Sequence, residues 1–125
     1  TTALKDSCNS MIFRLRGKLE TKAWKGAELY FTTGKFQSAT KALQHFMDDW
    51  PASQYAEDAQ FLVLKSQFLY AEQSTARRQE ERYADAIESY FTFAARFPDS
   101  ARLSEAEQFH RKSRIGLEKA STEQR

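Results

Sequence analysis

Apolar residues recur at steps of three and four through most of this chain. Met11, Ile12, Leu15, Leu19, Ala23, Ala27, Tyr30 and Phe31 keep that rhythm until Gly34 interrupts it. One long helix over about 6–33, stopped by a glycine, is predicted. Phe36, Ala39, Leu43, Phe46 and Trp50 then form a single stripe that Pro51 closes. A proline pushes the residue before it out of helical geometry, so a second helix is predicted over about 36–49. Ser53 stands where an N-cap belongs, with Glu57 and Asp58 placed to oppose the dipole of a third helix. That helix carries Tyr55, Ala56, Ala59, Leu62, Val63, Phe68 and Leu69 before its pattern fades near Glu72. Such broad apolar coverage predicts burial on two sides.

The run 72–81, EQSTARRQEE, has Ala76 as its one apolar residue. It is expected either to extend the flanking helices into solvent or to form a charged loop. A fourth helix over about 82–96 repeats the stripe of the second and ends at Phe97-Pro98. A fifth, over about 101–120, sets Leu103, Ala106, Phe109, Ile115 and Leu117 against a polar side of Glu105, Glu107, Arg111, Lys112 and Arg114, a weaker stripe that suits a capping helix. One offset of 47 residues carries Phe36 to Tyr83, Ala39 to Ala86, Leu43 to Tyr90, Phe46 to Phe93, Trp50 to Phe97, Pro51 to Pro98 and Ser53 to Ser100. The reading is all-α: a single domain over 1–125, with a hairpin over 6–50, a second over 54–97 containing the 72–81 insertion, and a cap over 101–120. Units that cannot bury their own apolar face stack on neighbours and offer surfaces that hold other molecules.

Composition narrows the function classes. In 125 residues, four Gly and two Pro leave few places to turn, which favours long helices. The net charge of +2 hides a split, with residues 1–41 summing to +5 and residues 42–73 to −4. That is polarity between faces and not a nucleic-acid footprint. Cys8 is the only cysteine, which excludes an internal disulfide and predicts an ordinary free thiol. No apolar run reaches the roughly 20 residues of a membrane span. The chain starts Thr1-Thr2 without a methionine and reads as a piece of a longer protein.

Small and aromatic positions in a helix-turn-helix that closes at proline resemble tetratricopeptide repeats, with Tyr30, Ala39 and Pro51 at that pattern's spacing. Ala23 and Gly26-Ala27 replace its opening Trp and Leu-Gly. The likeness implies antiparallel hairpins, about five helices, stacked in a right-handed solenoid. A narrower likeness rests on Ala27-Glu28-Leu29-Tyr30-Phe31-Thr32-Thr33-Gly34-Lys35-Phe36, on Trp50-Pro51-Ala52-Ser53-Gln54-Tyr55-Ala56-Glu57-Asp58-Ala59, and on the insertion followed by Arg82-Tyr83. These resemble the carboxy-terminal half of the outer-membrane assembly lipoproteins of the BamD family, in their Bacteroidota form. The resemblance spans roughly residues 6–120. It implies a non-enzymatic scaffold on the periplasmic side of the outer membrane, docking BamA-like periplasmic domains and other subunits of the barrel-assembly machine. The parent protein would be lipid-anchored. The same Pro-x-Ser turn occurs in Tol-associated adaptors resembling CpoB, and Cys8 does not match the family's lipidated cysteine.

Catalytic chemistry finds no support. His45 with Asp48 and Asp49 offers three ligands from one turn and no second cluster, which makes a poor metal site, and no Ser or Cys accompanies His45 or His110 as a nucleophile. No cofactor is expected. Trp24, Glu28 and Phe31 on the first helix and Phe61, Lys65 and Phe68 on the third are either a partner-binding strip or core between hairpins. Trp24, among Lys22, Lys25 and Glu28, is the best anchor of that set. Arg77, Arg78 and Arg82, with Glu80 and Glu81, either pair with a partner or stay solvated. The stripe Arg14, Lys18, Lys22 and Lys25 is either a plain exposed face or a contact for acidic loops, RNA or anionic lipid.

Overall fold

The computed structural model describes residues 2–123 and folds them into five helices: α1 (Thr2–Thr32), α2 (Phe36–Asp49), α3 (Ala56–Gln73), α4 (Ala76–Arg96) and α5 (Leu103–Glu123). Among the described residues there is no strand. Each helix packs on the next in sequence. Ring contacts give the directions: Trp24 meets Phe46 while Phe31 meets Phe36, and Phe61 meets Phe93 while Phe68 meets Tyr83. Early residues of one helix thus touch late residues of its successor, which makes both pairs antiparallel hairpins.

The punctuation of the chain is physical. Gly34, at φ 80°, ends α1 by a Schellman arrangement in which Lys35 N–H donates to the Tyr30 carbonyl at 2.9 Å and Gly34 N–H to that of Phe31 at 3.0 Å. The 72–81 run takes the helical alternative. α3 continues to Gln73, the chain turns at Ser74-Thr75, and α4 begins six residues before the predicted 82. Ser74 Oγ donates to the Tyr70 carbonyl at 2.6 Å and accepts from Arg82 at 2.5 Å, which ties the new helix start to the old helix end.

The 47-residue offset holds at the level of hydrogen bonds. Trp50 and Phe97 leave their helices at φ −131°, ψ 65° and φ −129°, ψ 63°. Ser53 N–H donates to the Trp50 carbonyl at 3.1 Å, as Ser100 N–H does to that of Phe97 at 3.1 Å. Ser53 Oγ accepts from Tyr55 N–H at 3.0 Å, and Ser100 Oγ from Arg102 N–H at 3.0 Å. Ser53 is therefore not the N-cap of α3, as predicted. That position belongs to Tyr55, and Ser53 closes the turn before it while donating to Glu20 Oε2 at 2.5 Å. The alignment also runs past residue 100. Ala59 and Ala106 are both fully buried, and so are Ser66 and Ser113.

The core joins Trp24, Leu43, Phe46, Phe61, Leu64, Phe68 and Phe93 with fully buried alanines at 39, 59, 71, 86 and 106, where small side chains let helices approach closely. Two predicted stripes need correction. On α1, Met11, Ile12, Leu15, Leu19 and Tyr30 are exposed, because Trp24 and Ala27 occupy the side that meets α2 and α3. On α5 the buried line is Ala106, Ser113 and Ala120 with Phe109 and Leu117 half-buried, and Ile115 points away at 63% exposure.

Ser66 and Ser113 bury their hydroxyls with no hydrogen-bond partner. An unsatisfied buried hydroxyl costs about 1–3 kcal/mol, whereas alanine fits the same space and favours helix. Ser66→Ala and Ser113→Ala are each expected to raise stability by about 1 kcal/mol in urea unfolding. A loss of stability in either variant would mean that the hydroxyl has a partner.

Candidate partner-binding surfaces

The nine residues of the aromatic strip and the arginine cluster nominated from sequence separate into three groups. Trp24, Phe61 and Phe68 belong to the core, which decides against the partner-binding reading of these three rings. The Trp24 indole, 7% exposed, stacks on Tyr55 at 5.3 Å with 6° between planes and tilts against Phe46 at 5.8 Å. Phe68 lies between Tyr83 and Phe109 at ring distances of 6.2 and 5.3 Å. Spacing alone could not separate these outcomes, since a core ring and a surface ring obey the same helical period.

Glu28, Phe31 and Lys65 are half-buried. The Lys65 ammonium sits 5.4 Å from the centre of the Phe31 ring, a cation–π contact that joins α1 to α3. The aromatic end of this strip is therefore already engaged within the chain, and only its edge is open to a partner.

Arg77 is exposed near the start of α4. Arg78 and Arg82 line a groove of about 390 Å³ between α2 and α4, floored by Gln67 and Tyr70 of α3. The Arg82 guanidinium lies 4.1 Å over the Tyr70 ring. Arg78 forms only a 3.9 Å pair with Glu81, well exposed on both sides and so weak. Asp85 shares this groove. Burial, then the nearby carboxylates of Glu81 and Glu88, push its carboxyl above the ordinary range, with Arg82 opposing them.

Two surfaces were not nominated from sequence. The first half of α1 presents Met11, Ile12, Phe13, Leu15 and Leu19 to solvent, with Phe13 at 80% exposure. Arg14, Lys18, Lys22 and Lys25 run beside them, so the predicted basic stripe borders an uncovered apolar one. The second is a groove of about 790 Å³ between α4 and α5, lined by Ile87, Phe91, Ile115 and Leu117. The signal for it was available in the 47-residue alignment, which sets Ile87 and Phe91 where the preceding hairpin has Thr40 and Gln44.

His110 forms part of that second groove and stacks on Tyr90 at 4.3 Å with 8° between rings. Burial and the Arg114 guanidinium lower its pKa below the usual 6.5, against a smaller pull from Glu107. The unfolded chain therefore takes up this proton first as pH drops. Stability carried by neutral His110 is complete above 6.5 and is lost as pH falls through the unfolded and then the folded value. Urea midpoints should decline between about pH 7.5 and pH 5.5, with a flatter profile in His110→Phe. Equal slopes for both proteins would remove His110 as the cause.

Among the described residues no three His, Cys, Asp or Glu side chains gather into a metal-holding group, and no helix is long and apolar enough to cross a membrane. His45 and Cys8 are exposed. No protein-family model matches this chain, and no curated protein matches it.

Proposed function

We propose that this chain is a protein-docking scaffold of the tetratricopeptide kind, two and a half hairpins stacked in a right-handed solenoid, serving the machinery that assembles β-barrel proteins into the outer membrane. What supports the reading most is the turn at Trp50–Tyr55, rebuilt bond for bond at Phe97–Arg102. Repeated turns of this kind set successive helical pairs at a constant step, and such stacks work by presenting surface. The sequence likeness to BamD-family proteins over residues 6–120 supplies the partner class, BamA-like periplasmic domains. It also supplies the location on the periplasmic side of the outer membrane. No residue is assigned a catalytic or cofactor role.

The test is retention of purified partner domains on the immobilised chain. The tandem periplasmic domains of a BamA-type protein should be captured, and a Tol-system partner should not. The reverse result would favour a Tol-associated adaptor of the CpoB kind. A nucleic-acid or lipid role would rest on Arg14, Lys18, Lys22 and Lys25. It predicts binding that falls steeply between low and moderate salt, which docking through apolar side chains does not.

A further inference from the structure

The outer face of α1 is not shaped as the seam for another repeat. An offset of 37 residues carries Trp24 to Phe61 and Phe31 to Phe68, while 47 carries their ring partners Phe46 and Phe36 to Phe93 and Tyr83. The same pair of offsets takes the Thr21–Tyr55 contact to the Asp58–Arg102 ion pair. α3 buries Ala59 and Ser66 completely, and α5 buries their counterparts Ala106 and Ser113. Among the described residues α5 packs on α4 and α3 alone, so this line of small residues faces the preceding helices. On α1 the counterparts are Lys22 and Leu29, both exposed. A helix seated there at the same distance would bury an ammonium and overpack a leucine. Length argues the same way. α3 begins at Ala56 and α5 at Leu103, the counterparts of Leu19. Residues 2–18 of α1 therefore overhang the stack by about 25 Å, beyond the reach of a hairpin of this size.

The overhang has a sided chemistry. At 3.6 residues per turn, Met11, Ile12, Leu15 and Leu19 share an arc of about 100°, and each is more than half exposed. Arg14 and Lys18 border one edge of this arc, and Lys5 and Arg16 border the other. Lys22 and Lys25 extend the positive charge toward the stack. All six cations are exposed, and among the described residues none makes an ion pair. Against them residues 5–25 hold only Asp6 and Glu20, and Glu20 already accepts from Ser53. A second copy laid on the arc would bring like charges together along both edges. Nucleic acid would use the cations and leave the apolar arc in water. A single overhanging helix also has no second wall with which to form a pocket for a protein anchor. An apolar arc edged on both sides by cations fits the boundary of an anionic bilayer, where long stems carry the charges up to the headgroups as the arc sinks.

We infer that the first half of α1 lies on the surface of an anionic lipid bilayer, with Met11, Ile12, Leu15 and Leu19 at the boundary of headgroups and acyl chains and Lys5, Arg14, Arg16 and Lys18 among the phosphates. The contact is peripheral and reversible, since four apolar side chains and a few cations do not anchor a chain permanently. It adds a membrane-contacting function to the scaffold and does not depend on which protein the stack docks.

Co-sedimentation of the full chain with large vesicles tests it. Phosphatidylcholine vesicles containing about 30% phosphatidylglycerol should carry the chain down, and vesicles of phosphatidylcholine alone should not. Arg14→Gln combined with Lys18→Gln should lower partitioning about 30-fold. Ile12→Ser combined with Leu15→Ser should lower it more than about tenfold. Phe13→Ser, on the far side of the helix, should change it less than about twofold. All these side chains are exposed, so the variants should keep the parent's urea midpoint. Failure to sediment with the anionic vesicles, equal sedimentation with both kinds, or an arc variant that binds as the parent does would overturn the inference. So would a Phe13→Ser variant as impaired as the arc variant, because the helix would then have no lipid side. A dimer in sedimentation velocity that the arc variant dissolves would put a second copy on α1, and retention of an RNA oligomer in preference to the vesicles would give the cations to nucleic acid. Either result would also overturn it.

Discussion

Placing a leucine at Gly116 is expected to unlatch α5 from α4 and remove most of the stability of the second half of the molecule. A Cβ at this position would lie 2.5, 2.6 and 2.8 Å from Tyr83 Cζ, Cε2 and Cε1. Those atoms belong to a buried ring packed against Phe68, so the ring must shift against its neighbours to make room. Leu69 stands at the equivalent position of α3, opposite the smaller Phe36 in the aligned pair. The second hairpin has exchanged a larger helix residue for a larger ring. Gly116→Ala sets two effects against each other. Alanine improves helix propensity by about 1 kcal/mol, while overpacking a core contact costs about 1–3 kcal/mol. A net loss near 1 kcal/mol is expected for alanine, and a loss above about 3 kcal/mol for leucine. The sign should invert when the ring is gone: in a Tyr83→Ala background, Gly116→Ala should stabilise by up to about 1 kcal/mol. Urea unfolding of the four proteins in this cycle measures the coupling. Additive effects would show that the ring and the glycine do not meet.

What could be read from the chain followed from which forces leave a one-dimensional trace. Helix ends written in backbone chemistry were legible: Pro51 and Gly34 act within a residue or two of themselves, and α2 lies at the predicted 36–49. The 47-residue offset was legible because packing repeats impose side-chain size at fixed steps. The side that each helix buries was less so. Helix α1 carries apolar residues around much of its circumference, and periodicity cannot decide which of two apolar arcs meets α2. The structure buries the arc with Trp24 and Ala27 and exposes the one with Leu15 and Leu19. Ser53 misled for a related reason. Its hydroxyl does accept a backbone N–H, but in a turn that precedes the helix by two residues, where local sequence looks the same. The α4–α5 groove required a comparison of equivalent positions for polarity as well as for size, at Thr40 and Ile87 and at Gln44 and Phe91.

Trp24 turns that lesson into a measurement. As a surface anchor, its removal would leave folding intact and abolish partner capture. As the buried ring that closes α1 onto α2 and α3, its removal should act on stability first. Truncation opens a void bounded by Phe46 and Tyr55, which keep their mutual contact at 6.4 Å but lose the indole that both pack against. The expected cost of Trp24→Ala is about 3–5 kcal/mol. The damage should be local. Beside this ring α1 is tied to the start of α3 by the Thr21–Tyr55 hydroxyl contact at 3.1 Å, and two turns further on by Lys65 over Phe31. α3, α4 and α5 hold one another through Phe61, Phe68, Phe93 and Phe109, none of which touches Trp24 in a ring contact. Hydrogen exchange should therefore show α1 losing protection while α3 to α5 keep theirs, a sub-global opening and not a two-state loss. Trp24→Phe, which keeps a ring to stack on Tyr55, should recover more than half of the deficit. If Trp24→Ala left exchange in α1 unchanged and only partner capture were lost, the indole would be an interface residue, and its place in the core would have to be withdrawn.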